Sequence, residues 1–152
     1  MNTLEQGTPA FNFSGIDQDQ NHISLGDYKG KKLIIFFYPA ASTPGCTAQA
    51  CNLTDNYAAL SEAGFSILGV SADTPAKQNK FKEKFGFPFP LLADSDKTVI
   101  NGFGVWGPKK FMGREYDGIH RVTFMISEAG VIEHVISKVK TKDHAAQILA
   151  ML

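Results

Sequence analysis

Residues Leu33-Ile34-Ile35-Phe36-Phe37-Tyr38 form an apolar run without alternation, led in by Lys31-Lys32 and ended by Pro39. A strand of this kind has no face to give to water. It belongs in the middle of a sheet that is covered on both sides. The residues after the run show how one of those sides is covered. Ala40-Ala41-Ser42 is a small-residue loop, and Thr43-Pro44 reads as an N-cap with proline at the first helical position. From there Cys46, Ala50, Leu53, Tyr57 and Leu60 fall within about 40° of one another at 100° per residue. That stripe faces the sheet, and Gly64 ends the helix.

The remaining segments fit the same plan. Phe11–Ser14 and Asn21–Ser24 alternate as short strands around a turn-like Asp17-Gln18-Asp19-Gln20, which predicts an N-terminal β-hairpin. Phe65–Ser71 is a second central strand. Asp73-Thr74-Pro75 repeats the cap-then-proline start, for a helix with Gln78, Phe81 and Phe85 on one side that runs to Gly86. A short strand at Phe89–Ala93 and a short helix at Lys97–Phe103 come next. Gly104–His120 holds four glycines among Trp106, Phe111, Met112 and Tyr116 and reads as a long loop, a length that is uncommon without a function. Arg121–Ile126 and Val131–Ile136 make an antiparallel hairpin around Ser127-Glu128-Ala129-Gly130, and a last helix begins near Thr141. The order predicts an α/β sandwich: one domain over residues 1–152, with a central mixed sheet, helices on both faces and the N-terminal hairpin as an extension.

Charge and length narrow the function. Fifteen basic residues balance fifteen acidic ones, which removes the electrostatic case for nucleic acid or an anionic membrane. The longest apolar run, Leu33–Ala41, is about half of a membrane span, and the start has neither a basic nor an apolar leader region, so a cytoplasmic protein is expected. In that compartment the chain's two cysteines, Cys46 and Cys51, are expected to be reduced and catalytic rather than a structural bridge.

Cys46 stands third in its helix. There a sulfur lies near unpaired backbone N–H groups and the positive end of the helix dipole, a setting that favours thiolate. Gly45 leaves room for a small reactant. Cys51 lies five residues on, which in a helix means about 7.5 Å of rise and about 140° of rotation. A disulfide needs Cα atoms within about 7 Å and converging Cβ vectors. The two cysteines therefore cannot bond while the helix is intact, and a redox partnership between them requires its first turns to unwind. Of the cations, thirteen are lysines and two are arginines. Arg121 opens an apolar strand, where an unpaired charge is costly. Its guanidinium keeps its charge and offers a fixed fork of donors. A thioredoxin-like disulfide reductase is the alternative, although that chemistry is served by Cys-x-x-Cys and not by the Cys-x-x-x-x-Cys found here. The four histidines and two cysteines form no recognisable zinc set.

Pro39-Ala40-Ala41-Ser42-Thr43-Pro44-Gly45-Cys46 fits the peroxiredoxin pattern Pro-x-x-x-Thr-x-x-Cys. With Cys51 and the segment Tyr116–Ile126, the chain resembles the bacterioferritin comigratory protein (PrxQ) subgroup from about Gly7 to the last helix. The resemblance implies a thioredoxin-like fold and thiol peroxidase activity on hydrogen peroxide and organic hydroperoxides. It implies Cys46 as the peroxidatic cysteine and Cys51 as the resolving one. Pro39 would shield the site, Thr43 would hydrogen-bond the peroxide, and Arg121 would hold thiolate and substrate. It further implies recycling by thioredoxin or a similar dithiol, no metal or organic cofactor, and a monomer. Ala40-Ala41-Ser42 lacks the charged residues that many relatives carry there.

Overall fold

The computed structural model describes residues 1–152. Its main sheet has five strands: β3 (Lys32–Phe37), β4 (Phe65–Ser71), β5 (Leu91–Ala93), β8 (Thr123–Ile126) and β9 (Ile132–Ile136), in the order β5-β4-β3-β8-β9. β3 is central, parallel to β4 and antiparallel to β8, so the sheet is mixed. The unalternating run fills both sides of it. Leu33, Ile35 and Phe37 point into one buried cluster, and Ile34, Phe36 and Tyr38 into the other.

The second cluster holds the stripe Cys46, Ala50, Leu53 and Leu60, together with Phe81, Ala145 and Ile148. It is therefore covered by α1 (Pro44–Asp55), α2 (Tyr57–Glu62), α3 (Pro75–Phe85) and α5 (His144–Leu149). The first cluster holds Val99, Ile100 and Phe103 of α4 (Thr98–Phe103), with Phe13 and Ile23 from the N-terminal hairpin. Each large apolar side chain fully buried this way contributes about 1.5–3 kcal/mol. The sandwich is thioredoxin-like, as expected.

The N-terminal hairpin consists of β1 (Ser14–Ile16) and β2 (His22–Ser24), a little shorter than predicted. Its turn covers an open edge of the sheet: Gln18 Oε1 accepts the Leu91 N–H at 2.9 Å.

Three expectations need correction. Gly104–His120 is not a loop. It forms a separate two-stranded sheet, β6 (Trp106–Phe111) and β7 (Arg114–Ile119), in full register from Trp106↔Ile119 to Phe111↔Arg114. Met112 and Gly113 close it with φ of 51° and 78°, the positive-φ pair that a two-residue hairpin turn requires. The helix expected to run unbroken to Gly64 is interrupted at Asn56, whose amide donates back to the Asn52 carbonyl at 2.9 Å. Arg121 does not open a strand. It lies in the irregular connection between β7 and β8.

The start of α5 is anchored through polar groups. His144 is fully buried, with Nε2 2.8 Å from Thr123 Oγ1 and Nδ1 2.9 Å from Gln147 Oε1. Asn52 of α1 joins the same end, donating to the Lys142 carbonyl and accepting from the Ala145 N–H. Burial pushes the His144 imidazole below its ordinary value. A histidine kept neutral in the fold contributes stability that is fully present above its unfolded pKa of about 6.5 and is lost as pH falls through the folded value. The thermal unfolding midpoint is therefore expected to decline as pH is lowered below about 6.5, and His144→Gln should remove that part of the decline. Parallel pH profiles for the two proteins, followed by circular dichroism, would contradict it.

Candidate active site

β3 delivers the chain to the site and α1 carries it away. The Tyr38 N–H donates to the Val70 carbonyl at 3.1 Å, so pairing with β4 lasts one residue beyond β3 and ends at half-buried Pro39. The loop beyond Pro39 is pinned to β4. The Ala41 N–H donates to Asp73 Oδ2 at 2.8 Å, and the same oxygen accepts from Ser71 Oγ at 2.7 Å. Ser71 Oγ in turn accepts from Gln78 Nε2 at 2.9 Å, and Gln78 Oε1 accepts the buried Tyr38 hydroxyl at 2.5 Å. Ser42 takes φ +63° as the chain turns into the helix.

Thr43 is the N-cap, with Pro44 at the first helical position. Its side chain does not cap. Oγ1 turns back and donates to the Ala40 carbonyl at 2.8 Å, which leaves the hydroxyl's lone pairs at an exposed position free to accept. The first backbone bond of the helix runs from the Thr47 N–H to the Thr43 carbonyl. The N–H groups of Gly45 and Cys46 thus have no intrahelical partner.

Cys46 is 1% exposed and its thiol is free. Arg121 reaches it from the β7–β8 connection, with Nη2 donating to Sγ at 3.4 Å and Nη1 donating to Gln49 Oε1 at 2.7 Å. The connection is held beside the end of β3 because the Phe37 N–H donates to the Val122 carbonyl at 2.9 Å. A Cβ on Gly45 would sit 3.3 Å from Nη2, so only glycine lets the guanidinium lie this close without a shift.

The structure thus brings Cys46 and Arg121 into contact, with Pro39 and Thr43 on the connection that leads to Cys46. It keeps Cys51 away. Both cysteines lie in α1, which is continuous between them, and Cys51 is half-buried and free. Burial, with a smaller effect from Asp55, pushes the Cys51 thiol up. No group of three or more metal-ligating side chains forms anywhere in the chain.

Two supporting residues escaped the sequence reading. Gln49 lies three residues after Cys46 on α1, fully buried, and its Nε2 has no partner. Its signal was a polar residue beside the apolar stripe. Thr74 caps α3 ahead of Pro75, accepting from the Lys77 N–H, as the cap-then-proline start predicts, and Asp73 beside it holds Ala41, a role the sequence did not signal.

The sequence profile of the AhpC/TSA family matches residues 6–135. The chain belongs to that family. The putative peroxiredoxin bcp of Haemophilus influenzae is 49% identical over 152 residues, covering 100% of this chain and 98% of that protein. Peroxiredoxin Bcp of Escherichia coli is 48% identical, covering 100% and 97%. The solved structure of the Xanthomonas campestris bacterioferritin comigratory protein, described with its alkyl peroxide reduction activity, superimposes with a TM-score of 0.86 at 34% identity, covering 93% of this chain and 90% of that one. This peroxiredoxin of the Bcp/PrxQ group is therefore a thiol peroxidase, with a hydroperoxide as substrate and a thiol as reductant. That removes the disulfide reductase alternative. No helix of this peroxiredoxin is long and apolar enough to cross a membrane.

Proposed function

We propose that this peroxiredoxin reduces hydrogen peroxide and organic hydroperoxides at Cys46, with Cys51 as the resolving cysteine and thioredoxin or a similar dithiol as reductant. The observation that carries the reading is the guanidinium of Arg121, 3.4 Å from a thiol seated at an open helix N-terminus. The Cys46 thiolate attacks one peroxide oxygen. The O–O bond breaks, sulfur is oxidised to sulfenic acid, and the other oxygen leaves as water or an alcohol after taking a proton. Arg121 and the N–H groups of the first turn stabilise charge on the departing oxygen, Thr43 accepts the peroxide O–H, and Pro39 limits access of water. Thiolate and peroxide are thus oriented by groups that need no rearrangement.

Resolution follows different physics. The Cys51 thiol attacks the sulfenic sulfur, a disulfide forms and water leaves. Across an intact α1 this is geometrically forbidden. Residues 44–51 must unwind, which frees Cys51 from the burial that pushes its thiol up. The dithiol then reduces the disulfide by exchange. No metal or organic cofactor takes part. We place this chemistry in one domain, acting as a monomer in the cytoplasm.

The test is Cys51→Ser. Its burst with hydrogen peroxide should consume one equivalent per chain and stop, with Cys46 recovered as sulfenic acid by dimedone labelling. Oxidised wild-type protein should show less helix by circular dichroism, whereas the variant should not change. Sustained turnover by Cys51→Ser with thioredoxin, or identical wild-type spectra in both redox states, would remove Cys51 from the cycle.

A further inference from the structure

Arg121 is not the only cation built into this region. Lys109 lies on β6, opposite Tyr116 of β7. Its stem crosses the hairpin over Gly118, where a Cβ would come within 3.1 Å of Lys109 Cδ. The ammonium ends on the Ile119 carbonyl at 2.8 Å. The next residue is held as well: the His120 N–H donates to the Val105 carbonyl at 2.7 Å, and His120 Nε2 lies 3.0 Å from the Pro108 carbonyl. The two residues before Arg121 are thus tied to β6 and to the residue that leads into it. Lys109 and Arg121 also line one cavity of about 740 Å³, whose other charged or titratable lining residues are Met1 with its N-terminal amine, Glu5, His120 and Lys138.

We propose that Lys109 is a positioning residue for the peroxidase site: by clamping the Ile119 carbonyl it fixes the segment that delivers Arg121 to Cys46, and its charge joins that of Arg121 in the field felt by the thiolate. The proposal rests on the assignment of Cys46 and Arg121 above. On its β3 side the connection is held by the bond from the Phe37 N–H to the Val122 carbonyl, one residue beyond Arg121, and an angstrom of drift on the other side would lose the contact with sulfur. The clamp holds that other side through a side chain. It also links hairpin and site, since the strand that carries Lys109 is paired with no strand of the main sheet.

The charge has a consequence that packing alone does not. Burial pushes the Lys109 ammonium below its ordinary value, and the neighbouring Arg121 charge pushes the same way, against a weaker upward pull from Cys46. Lys109 therefore loses its proton at lower pH than an exposed lysine, and a neutral amine both donates more weakly and adds no field. Tyr116 across the hairpin, the Met1 amine and Glu5 of the N-terminal segment, Lys138 after β9, His120 and Arg121 are the other charged or titratable groups on the strand and the cavity wall it shares.

The experiment is stopped-flow oxidation of the reduced protein by hydrogen peroxide from pH 6 to 10, with wild type, Lys109→Met and Lys109→Arg. Lys109→Met should slow the reaction about tenfold, the scale of one lost positioning or charge contact. Lys109→Arg should stay within about threefold of wild type at neutral pH and keep its rate at alkaline pH where wild type declines. Circular dichroism melts check that each variant is folded. A Lys109→Met protein with the wild-type rate at every pH overturns the proposal. So does a Lys109→Arg protein as slow as Lys109→Met. Failure of the underlying assignment would show separately, as peroxide consumption that survives Cys46→Ser.

Discussion

Cys46→Ser is expected to reduce peroxide turnover to background, a fall of about 10⁴-fold or more, the scale of losing a nucleophile outright. The reason is chemical and not steric. Serine nearly matches cysteine in volume, and residue 46 packs in the same buried cluster as Tyr38 and Ala50, so the fold should survive. What is lost is an ionisable, polarisable sulfur. An alcohol stays protonated at the pH where a thiol yields a useful fraction of thiolate, and no helix terminus or guanidinium closes that gap. Arg121 would still donate to the oxygen, and the N–H groups of Gly45 and Cys46 would still be open, so the variant isolates the nucleophile from its surroundings. An NADPH-coupled assay with thioredoxin and its reductase measures turnover, and stopped-flow measures the first step without the reductant. Full multi-turnover activity in the variant would place the chemistry elsewhere. Cys51→Ser provides the internal contrast, because it should keep the first step while blocking the second.

How far this site could be read before its structure was seen depends on where each residue draws its position from. Cys46 takes its place from local rules. Thr43-Pro44 starts the helix and the apolar stripe orients it, so both its depth and its place on the helix were legible. Arg121 was legible as a type, a rare guanidinium in apolar company, although not as a contact, since its distance to Cys46 is set by pairing between β3 and the connection around Val122. The β6–β7 hairpin was missed because its strands lack an apolar alternation. β7 is exposed along most of its length and buries only Ile119, so the period that marks a half-buried strand is absent. Its two-residue turn was the usable signal, but Met112 is a poor advertisement for a positive φ. The break at Asn56 was invisible for a related reason: the stripe continues through Tyr57 and Leu60 beyond it, while the interruption lies in the Asn56 backbone, at φ −108° and ψ 14°, and in its side chain's bond to Asn52. Asp73, Gln49 and Lys109 belong to tertiary hydrogen bonds, for which sequence spacing carries no information.

Arg121→Met should cost about 10²–10³-fold in the rate of Cys46 oxidation, the range for removing a donor aimed at developing charge. Two losses combine. Nη2 is removed from Cys46 Sγ, and Nη1 is removed from Gln49 Oε1. Gln49 is fully buried with Nε2 already without a partner, so the variant leaves its whole amide unsatisfied, a penalty of about 1–3 kcal/mol. The stability loss and the rate loss can be separated, because the first appears in a thermal melt and the second in single-turnover kinetics on folded protein. Arg121→Lys distinguishes charge from shape. An ammonium restores the positive charge but is a point, and it cannot bond Gln49 and the sulfur with the fixed spacing of a guanidinium. It should therefore recover only part of the rate, with the remaining deficit measuring what the fork geometry contributes. Wild-type kinetics in Arg121→Lys would mean that charge alone suffices, and wild-type kinetics in Arg121→Met would mean that the contact between guanidinium and sulfur has no part in the chemistry. Gly45→Ala approaches the same contact from the other side, since its new methyl would press on Nη2 from 3.3 Å while leaving every polar group in place. A rate loss there, smaller than in Arg121→Met and without the Gln49 stability penalty, would show that the distance from guanidinium to sulfur, and not merely the presence of the arginine, sets the speed of the first step.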